Sequence, residues 1–220
     1  MSTKPILFST PMVQAILNGR KTMTRRVIPE LSGKDAWSEG RYKCLESPPG
    51  KVVIGEHFTF RYREDSGAFQ EEYVPLRYRE NDILWVRETW CPCATINGWL
   101  DDVSLYGYKA DYDKVVPWKW KPSIHMPREA ARLFLRVTGV RVERVQDITH
   151  AGVLAEGIPQ CPGWKYELSE CDCTVRAFAE LWDSLNAKRG YGWDKNPWVW
   201  VYSFERVDKP AGWPGGEVEG

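Results

Sequence analysis

Apolar and polar residues alternate along three stretches of the chain, and each alternation predicts a strand. Residues 83–90 are β-branched and aromatic and follow Asn81-Asp82, a turn signal. Leu84, Val86, Glu88 and Trp90 form the row expected to face inward, with Ile83, Trp85, Arg87 and Thr89 opposite. Residues 133–138 repeat the pattern, with Leu133, Leu135 and Val137 inward and Phe134, Arg136 and Thr138 outward; Gly139 marks a bulge before a further strand over 140–145. In 198–207, Trp198, Trp200, Tyr202 and Phe204 alternate with Val199, Val201 and Ser203, so both faces are expected to be covered.

Helical spacing supplies the rest. Thr174 is the expected cap of a long helix whose apolar face is Phe178, Leu181, Trp182 and Leu185. Lys188 and Arg189 suit its negative end, and Gly190 closes it. Thr149 caps a short helix that ends at Gly157. Near the start, an apolar strand over 5–8 leads to a helix capped by Thr10, with Pro11 at its first position and Met12, Ala15 and Ile16 on one face. Residues 52–62 and 73–78 pair as a hairpin around Asp65-Ser66-Gly67. Residues 31–50 and 91–124 read as irregular insertions, and the Pro- and Gly-rich 208–220 as a loose tail. The pattern is that of one α+β domain over 1–207, a mixed barrel with peripheral helices.

Between the first helix and the next strand lies Asn18-Gly19-Arg20-Lys21-Thr22-Met23-Thr24-Arg25-Arg26. Gly19 falls just past the helix end, where positive φ favours glycine. Within the next seven residues stand four cations and two hydroxyls. On an extended chain Lys21, Met23 and Arg25 share one face, while Thr22, Thr24 and Arg26 take the other; a twist or bulge at the glycine would bring Lys21 and Thr24 together.

The spacing Gly19, Lys21, position 24, Arg26 resembles the G-x-K-x-x-E-x-R signature of ASCH domains, with Thr24 in the glutamate's place. Gly-Arg-Lys-Thr-x-Thr is also similar to the small ASCH-fold amidohydrolases that act on acetylcytidine. The frame from Pro5-Ile6-Leu7-Phe8-Ser9-Thr10 to the last tryptophan-rich strand resembles a phage or prophage-encoded ASCH-related protein, over residues 4–207. The resemblance implies a PUA-like mixed β-barrel that recognises RNA, a nucleoside or a nucleotide. The amidohydrolase likeness implies a catalytic Lys21 and Thr24. It also implies a glutamate on a central strand, where Arg136 stands in this chain; Glu88 is the available substitute.

Composition narrows the function classes. Thirty basic residues balance thirty acidic ones, so any nucleic-acid binding must come from a local patch rather than from net charge. Twelve tryptophans admit two readings, a core and rim built of large rings or rings that stack on bases. No stretch approaches the ~20 apolar residues of a membrane span, and the N-terminus carries no apolar signal run. A cytoplasmic location follows, that of the host if the chain is phage-encoded, with the six cysteines mostly reduced. Cys91-x-Cys93 and Cys161-x9-Cys171-x-Cys173 are spaced unlike a usual zinc site, so no metal or cofactor is expected. His57 and His150 stand alone in sequence; His125, before a core strand, is a candidate proton carrier.

The candidate site has two parts. Lys21, Thr24 and Glu88 are the catalytic candidates, with Thr24 as nucleophile and Lys21, its pKa lowered by neighbouring cations, as activator. Arg20, Lys21, Arg25, Arg26 and Arg87 offer phosphate contacts, and Trp85 and Trp193 offer stacking faces. The expected function is recognition of RNA or a modified nucleoside in a cationic cleft. The alternatives are hydrolysis of an acylated cytidine-like base, a nuclease using Lys21 and Arg26 on phosphate, or a structural or host-interaction protein of a phage.

Overall fold

The computed structural model describes residues 2–31, 57–63, 69–92, 106–112, 118–159 and 172–214. The expected irregular stretch at 31–50 falls almost wholly outside them, as does much of 91–124. Among the described residues, the strands and α-helices are β1 (Thr3–Leu7), α1 (Thr10–Leu17), β2 (Met23–Val27), β3 (His57–Arg63), β4 (Phe69–Pro75), β5 (Ile83–Arg87), β6 (Trp90–Pro92), β7 (Tyr106–Tyr108), β8 (Phe134–Arg144), α2 (His150–Ala155), α3 (Asp172–Asn186) and β9 (Trp198–Val207). The main sheet is mixed, in the order β1-β5-β8-β9-β2, and β3-β4 and β6-β7 form two separate antiparallel pairs. This is the expected α+β class.

The chain divides into two compact units, and β8 and β9 each run from one into the other. The first comprises Met1–Arg20, Asn81–Val137 and Phe204–Gly220. Here β1 pairs parallel with β5, and β5 antiparallel with β8. The turn before β5 is fixed by Asn81, at φ 67°, and by Asp82, which accepts bonds from Ser2 and Lys4. Leu84, Val86, Glu88 and Trp90 are buried as expected, with Ile83, Arg87 and Thr89 half-buried; Trp85 alone departs from the outer row, because a core cluster covers its ring. Trp85 packs with Trp90, Met126, Ala130, Ala131, Phe134 and Trp213. Trp213 belongs to the segment expected to be loose, yet it is buried: its ring lies 4.9 Å from that of Phe134, and its Nε1–H donates to the Arg128 carbonyl at 3.0 Å.

The second unit comprises Lys21–Glu80 and Thr138–Ser203. Strand β2 pairs antiparallel with β9, from Met23 opposite Ser203 to Val27 opposite Val199. Val199 and Val201 meet Val145, Ile148, Val153, Phe178 and Trp182 in one core, with Met23 and Val27 against it. On α3, the buried side chains are Thr174, Phe178, Trp182 and Asn186, spaced by four; Leu185, expected on the same face, is exposed. Strand β8 runs through Gly139 without a break, so the two expected strands are one.

Candidate functional site

The motif stretch begins where α1 ends. Gly19 takes φ 70° with open space around its α-carbon, so it serves the turn rather than a close approach. Arg20 follows on the surface, its N–H bonded to the Ala15 carbonyl.

In the second unit the chain then meets the end of α2. Thr149 caps that helix, its Oγ1 accepting from Gly152 N–H at 3.1 Å, and the helix closes at Glu156 and Gly157. Lys21 forms an isolated bridge with Glu156, and Thr22 N–H donates to the Ala155 carbonyl at 2.9 Å. The Lys21 ammonium donates to Glu156 Oε2 at 2.7 Å and to the carbonyls of Glu156 and Met23 at 2.8 Å each. All three of its protons therefore have acceptors. Arg25 Nη1 reaches the other oxygen, Glu156 Oε1, at 3.2 Å, and its Nε reaches Glu143 Oε1 at 2.9 Å. Arg141 Nε holds Glu143 Oε2 at 3.0 Å.

This network is closed to solvent. The side chains of Lys21 and Arg25 are 0% and 2% exposed, so a ligand reaches neither unless the network opens. Burial lowers the Lys21 pKa; Glu156 opposes the shift, and Arg26 and Arg25 add to it. Gly152 is part of the packing: a Cβ there would lie 3.1 Å from Arg25 Nη2 and 3.2 Å from Ile148 Cγ1.

The opposite face of β2 carries different chemistry. Thr24 stands across from Tyr202, and Arg26 across from Trp200; residues directly opposite share a face. Thr24 is buried and Arg26 half-buried. The Tyr202 ring meets that of Tyr78 at 5.0 Å and that of Trp200 at 6.4 Å. The exposed Arg77 lies 5.4 Å over the Tyr78 ring. Arg26 feels Tyr78, Glu156, Arg77 and Tyr202 as its charged or ionisable neighbours. Arg77, Tyr78 and Tyr202 thus neighbour Arg26, which shares its face of the strand with Thr24.

The first unit holds the remaining candidates. Glu88 is buried and accepts from Arg132 Nε at 2.9 Å and Nη2 at 3.1 Å. Arg132 also grips Asp111, at 2.7 and 2.9 Å, and lies 3.9 Å over the Tyr108 ring. Burial raises the Glu88 pKa against the pull of Arg132. Arg87 lies 5.5 Å over the Trp85 ring and donates to the Ile124 carbonyl. Trp85 is a core residue, its ring 5.9 Å from that of Trp213. His125 is exposed. Arg136 is exposed and paired with Glu205.

Trp193, in the second unit, is half-buried against Phe178, with its N–H donating to Asp183 Oδ1 at 2.6 Å. His150 opens α2; of His57 only the backbone, in β3, is described. Cys91 is buried and outside any disulfide, whereas Cys173 is disulfide-bonded, an exception to the mostly reduced cysteines expected. Cys93, Cys161 and Cys171 lie outside the described residues. Among the described residues no cluster of three or more His, Cys, Asp or Glu is arranged to hold a metal. No helix among them is long and apolar enough to cross a membrane.

The carboxylate that Lys21 uses, Glu156, was not among the sequence candidates. One local signal pointed to it. A glutamate at a helix C-terminus faces the negative end of the dipole, so it stands there at a cost unless a cation answers it. Glu143, Arg77 and Tyr78 carried no comparable signal.

No family model matches the chain, and no curated protein matches it. Solved structures do. The chain is similar to an ASCH domain from Lactobacillus crispatus JV V101, at 12% identity and TM-score 0.41, covering 94% of this chain and 81% of that one. It is also similar to a DUF984-family protein from Enterococcus faecalis V583, at 10% identity and TM-score 0.40, covering 96% of this chain and 83% of that one.

Proposed function

We propose that the chain binds a nucleotide unit of RNA, or a modified nucleoside, on the Thr24 and Arg26 face of β2. One observation carries the reading: the register of β2 on β9 sets Thr24, Arg26, Tyr202 and Trp200 on one face, with Tyr78 against Tyr202 and Arg77 over Tyr78. Guanidinium forks match phosphate oxygens, and the half-buried Arg26 and exposed Arg77 are the groups a ligand meets, with the buried Thr24, Tyr78, Trp200 and Tyr202 packed beneath them. The resemblance of Gly19 to Arg26 to the ASCH signature points the same way. On this reading Lys21 and Arg25 do not touch the ligand; they hold β2 in place from behind.

The test is calorimetric titration with cytidine 5′-monophosphate and with cytidine. The nucleotide binds more tightly than the nucleoside. Arg26→Ala and Arg77→Ala each weaken the nucleotide about tenfold, the loss of one charge-assisted hydrogen bond. They leave cytidine nearly unchanged. Equal affinity of wild type and both variants for the nucleotide overturns the reading.

A second reading, hydrolysis of an acylated cytidine-like base, is favoured by one contact, the Glu156 carboxylate 2.7 Å from the Lys21 ammonium. A lysine with a lowered pKa and a carboxylate beside it is the pairing such an activator needs. It ranks second because alternation along the chain sends the Thr24 hydroxyl to the face opposite Lys21. Turnover of an N-acylcytidine panel by wild type, abolished in both Lys21→Ala and Thr24→Ala, would promote it; a panel left intact by the wild type removes it.

A further inference from the structure

In the first unit, Tyr112, Trp118 and Trp120 form an aromatic trio that stands apart from the core. None of the three belongs to the Trp85 cluster, and all three are half-buried. Their ring centroids lie 4.5 Å (Tyr112–Trp118), 5.5 Å (Trp118–Trp120) and 6.0 Å (Tyr112–Trp120) apart, at interplanar angles of 88°, 66° and 46°. Edge-to-face and tilted contacts of this kind order the rings; each edge-to-face contact covers one ring face and leaves that ring's other face clear of the trio.

The backbone that carries the trio is pinned. Trp120 N–H donates to the Trp118 carbonyl at 3.1 Å. Lys121 forms an isolated bridge with Trp90, its N–H donating to the Trp90 carbonyl at 2.7 Å and its carbonyl accepting from Trp90 N–H at 3.2 Å. The Lys121 ammonium sits 5.2 Å over the Trp90 ring. Charge follows the same line. Lys119 and Lys121 alternate with the tryptophans and are exposed, and Lys109 is exposed nearby in sequence to Tyr112. The acid of that segment, Asp111, is already gripped through both oxygens by Arg132.

We infer that this Tyr112, Trp118 and Trp120 surface is a docking site for single-stranded nucleic acid, with bases stacked on the rings and backbone phosphates drawn by Lys119 and Lys121. Aromatic faces accept any base, and interleaved lysines supply the charge that an unpaired strand needs. A hydrophobic protein partner would find the same rings flanked by exposed ammonium groups whose hydration it would have to strip. Ordered rings lose little freedom on binding. This site is distinct from the Arg26 face and stands or falls without it.

The experiment is fluorescence anisotropy with labelled oligouridylate and oligothymidylate of about ten nucleotides, a length that a stacking surface engages. The Trp118→Ala/Trp120→Ala double variant should lose at least about tenfold in affinity, and Trp118→Phe/Trp120→Phe should keep most of it, since a ring remains. Each of Lys119→Ala and Lys121→Ala should lower the slope of log affinity against log salt by about 0.7. RNA and DNA arms that agree place the recognition in base and phosphate; an RNA preference adds the 2′-hydroxyl. Repeating the titration in an Arg26→Ala background separates this surface from the nucleotide face, because the tryptophan effect must persist there. A wild type that does not bind either oligonucleotide, or an alanine double variant that binds as well as wild type, overturns the inference. So does self-association of the wild type that the double variant abolishes without any change in oligonucleotide binding.

Discussion

The second unit buries two cations, Lys21 and Arg25, against two carboxylates, Glu156 and Glu143. In the first, buried Glu88 sits beneath an arginine that is 27% exposed and shared with the exposed Asp111. The difference is one of exits. If Glu88 is removed, Arg132 keeps Asp111 and water. If Glu156 is removed, Lys21 and Arg25 each lose a carboxylate oxygen in a place water does not reach. The first arrangement staples a surface segment to the sheet. The second fixes the strand whose other face carries Thr24 and Arg26.

The largest expected effect follows from that. Glu156→Ala should cost about 3–5 kcal/mol in chemical denaturation, the penalty of stranding a buried charge. The double variant Lys21→Met/Glu156→Leu should be less destabilised than either single change, because no lone charge is left. A double variant as unstable as the sum of the singles would show that the pair acts through packing instead. Gly152→Ala comes next, at about 1–3 kcal/mol, since the added methyl meets an Arg25 guanidinium that has no room to yield. An unchanged or raised melting temperature would mean that alanine's better helix propensity wins.

In the first unit, Glu88→Gln should cost about 1 kcal/mol at neutral pH, the scale of an ordinary hydrogen bond, because losing the Arg132 pair is offset by no longer burying a charge. Its pH dependence has a definite sign. Burial raises the Glu88 pKa above its ordinary 4.5, so the folded state holds this proton more firmly than the unfolded chain does. That contribution is full below pH 4.5 and is lost as pH rises through the folded pKa. The deficit of Glu88→Gln should therefore be largest in acid and shrink as pH rises; a deficit that grows with pH would invert the account. Smallest of all, Arg136→Ala breaks only the exposed pair with Glu205 and should cost less than about 1 kcal/mol.

Much of this was legible in local pattern. Gly19 marked a turn that the backbone confirms with positive φ, and period-two alternation after it correctly split Lys21 and Arg25 from Thr24 and Arg26. The short helix from Thr149 to Gly157 and the last strand were also readable, since caps and alternation are local signals. What escaped notice depends on distant sequence. Glu156 meets Lys21 across 135 residues, and no periodicity records such a pairing. Trp85 looked like an outward face because alternation cannot show that distant residues pack over that side as well. Trp213 looked loose because Pro and Gly around it suggested a tail, whereas one large ring was enough to anchor the segment.

The account turns on β2 having a frame on one face and a ligand contact on the other. Calorimetric titration of cytidine 5′-monophosphate into wild type and Arg26→Ala tests it most directly. The prediction is affinity about tenfold weaker in the variant, with an unfolding midpoint that matches wild type. Unchanged affinity in a folded Arg26→Ala protein would contradict it.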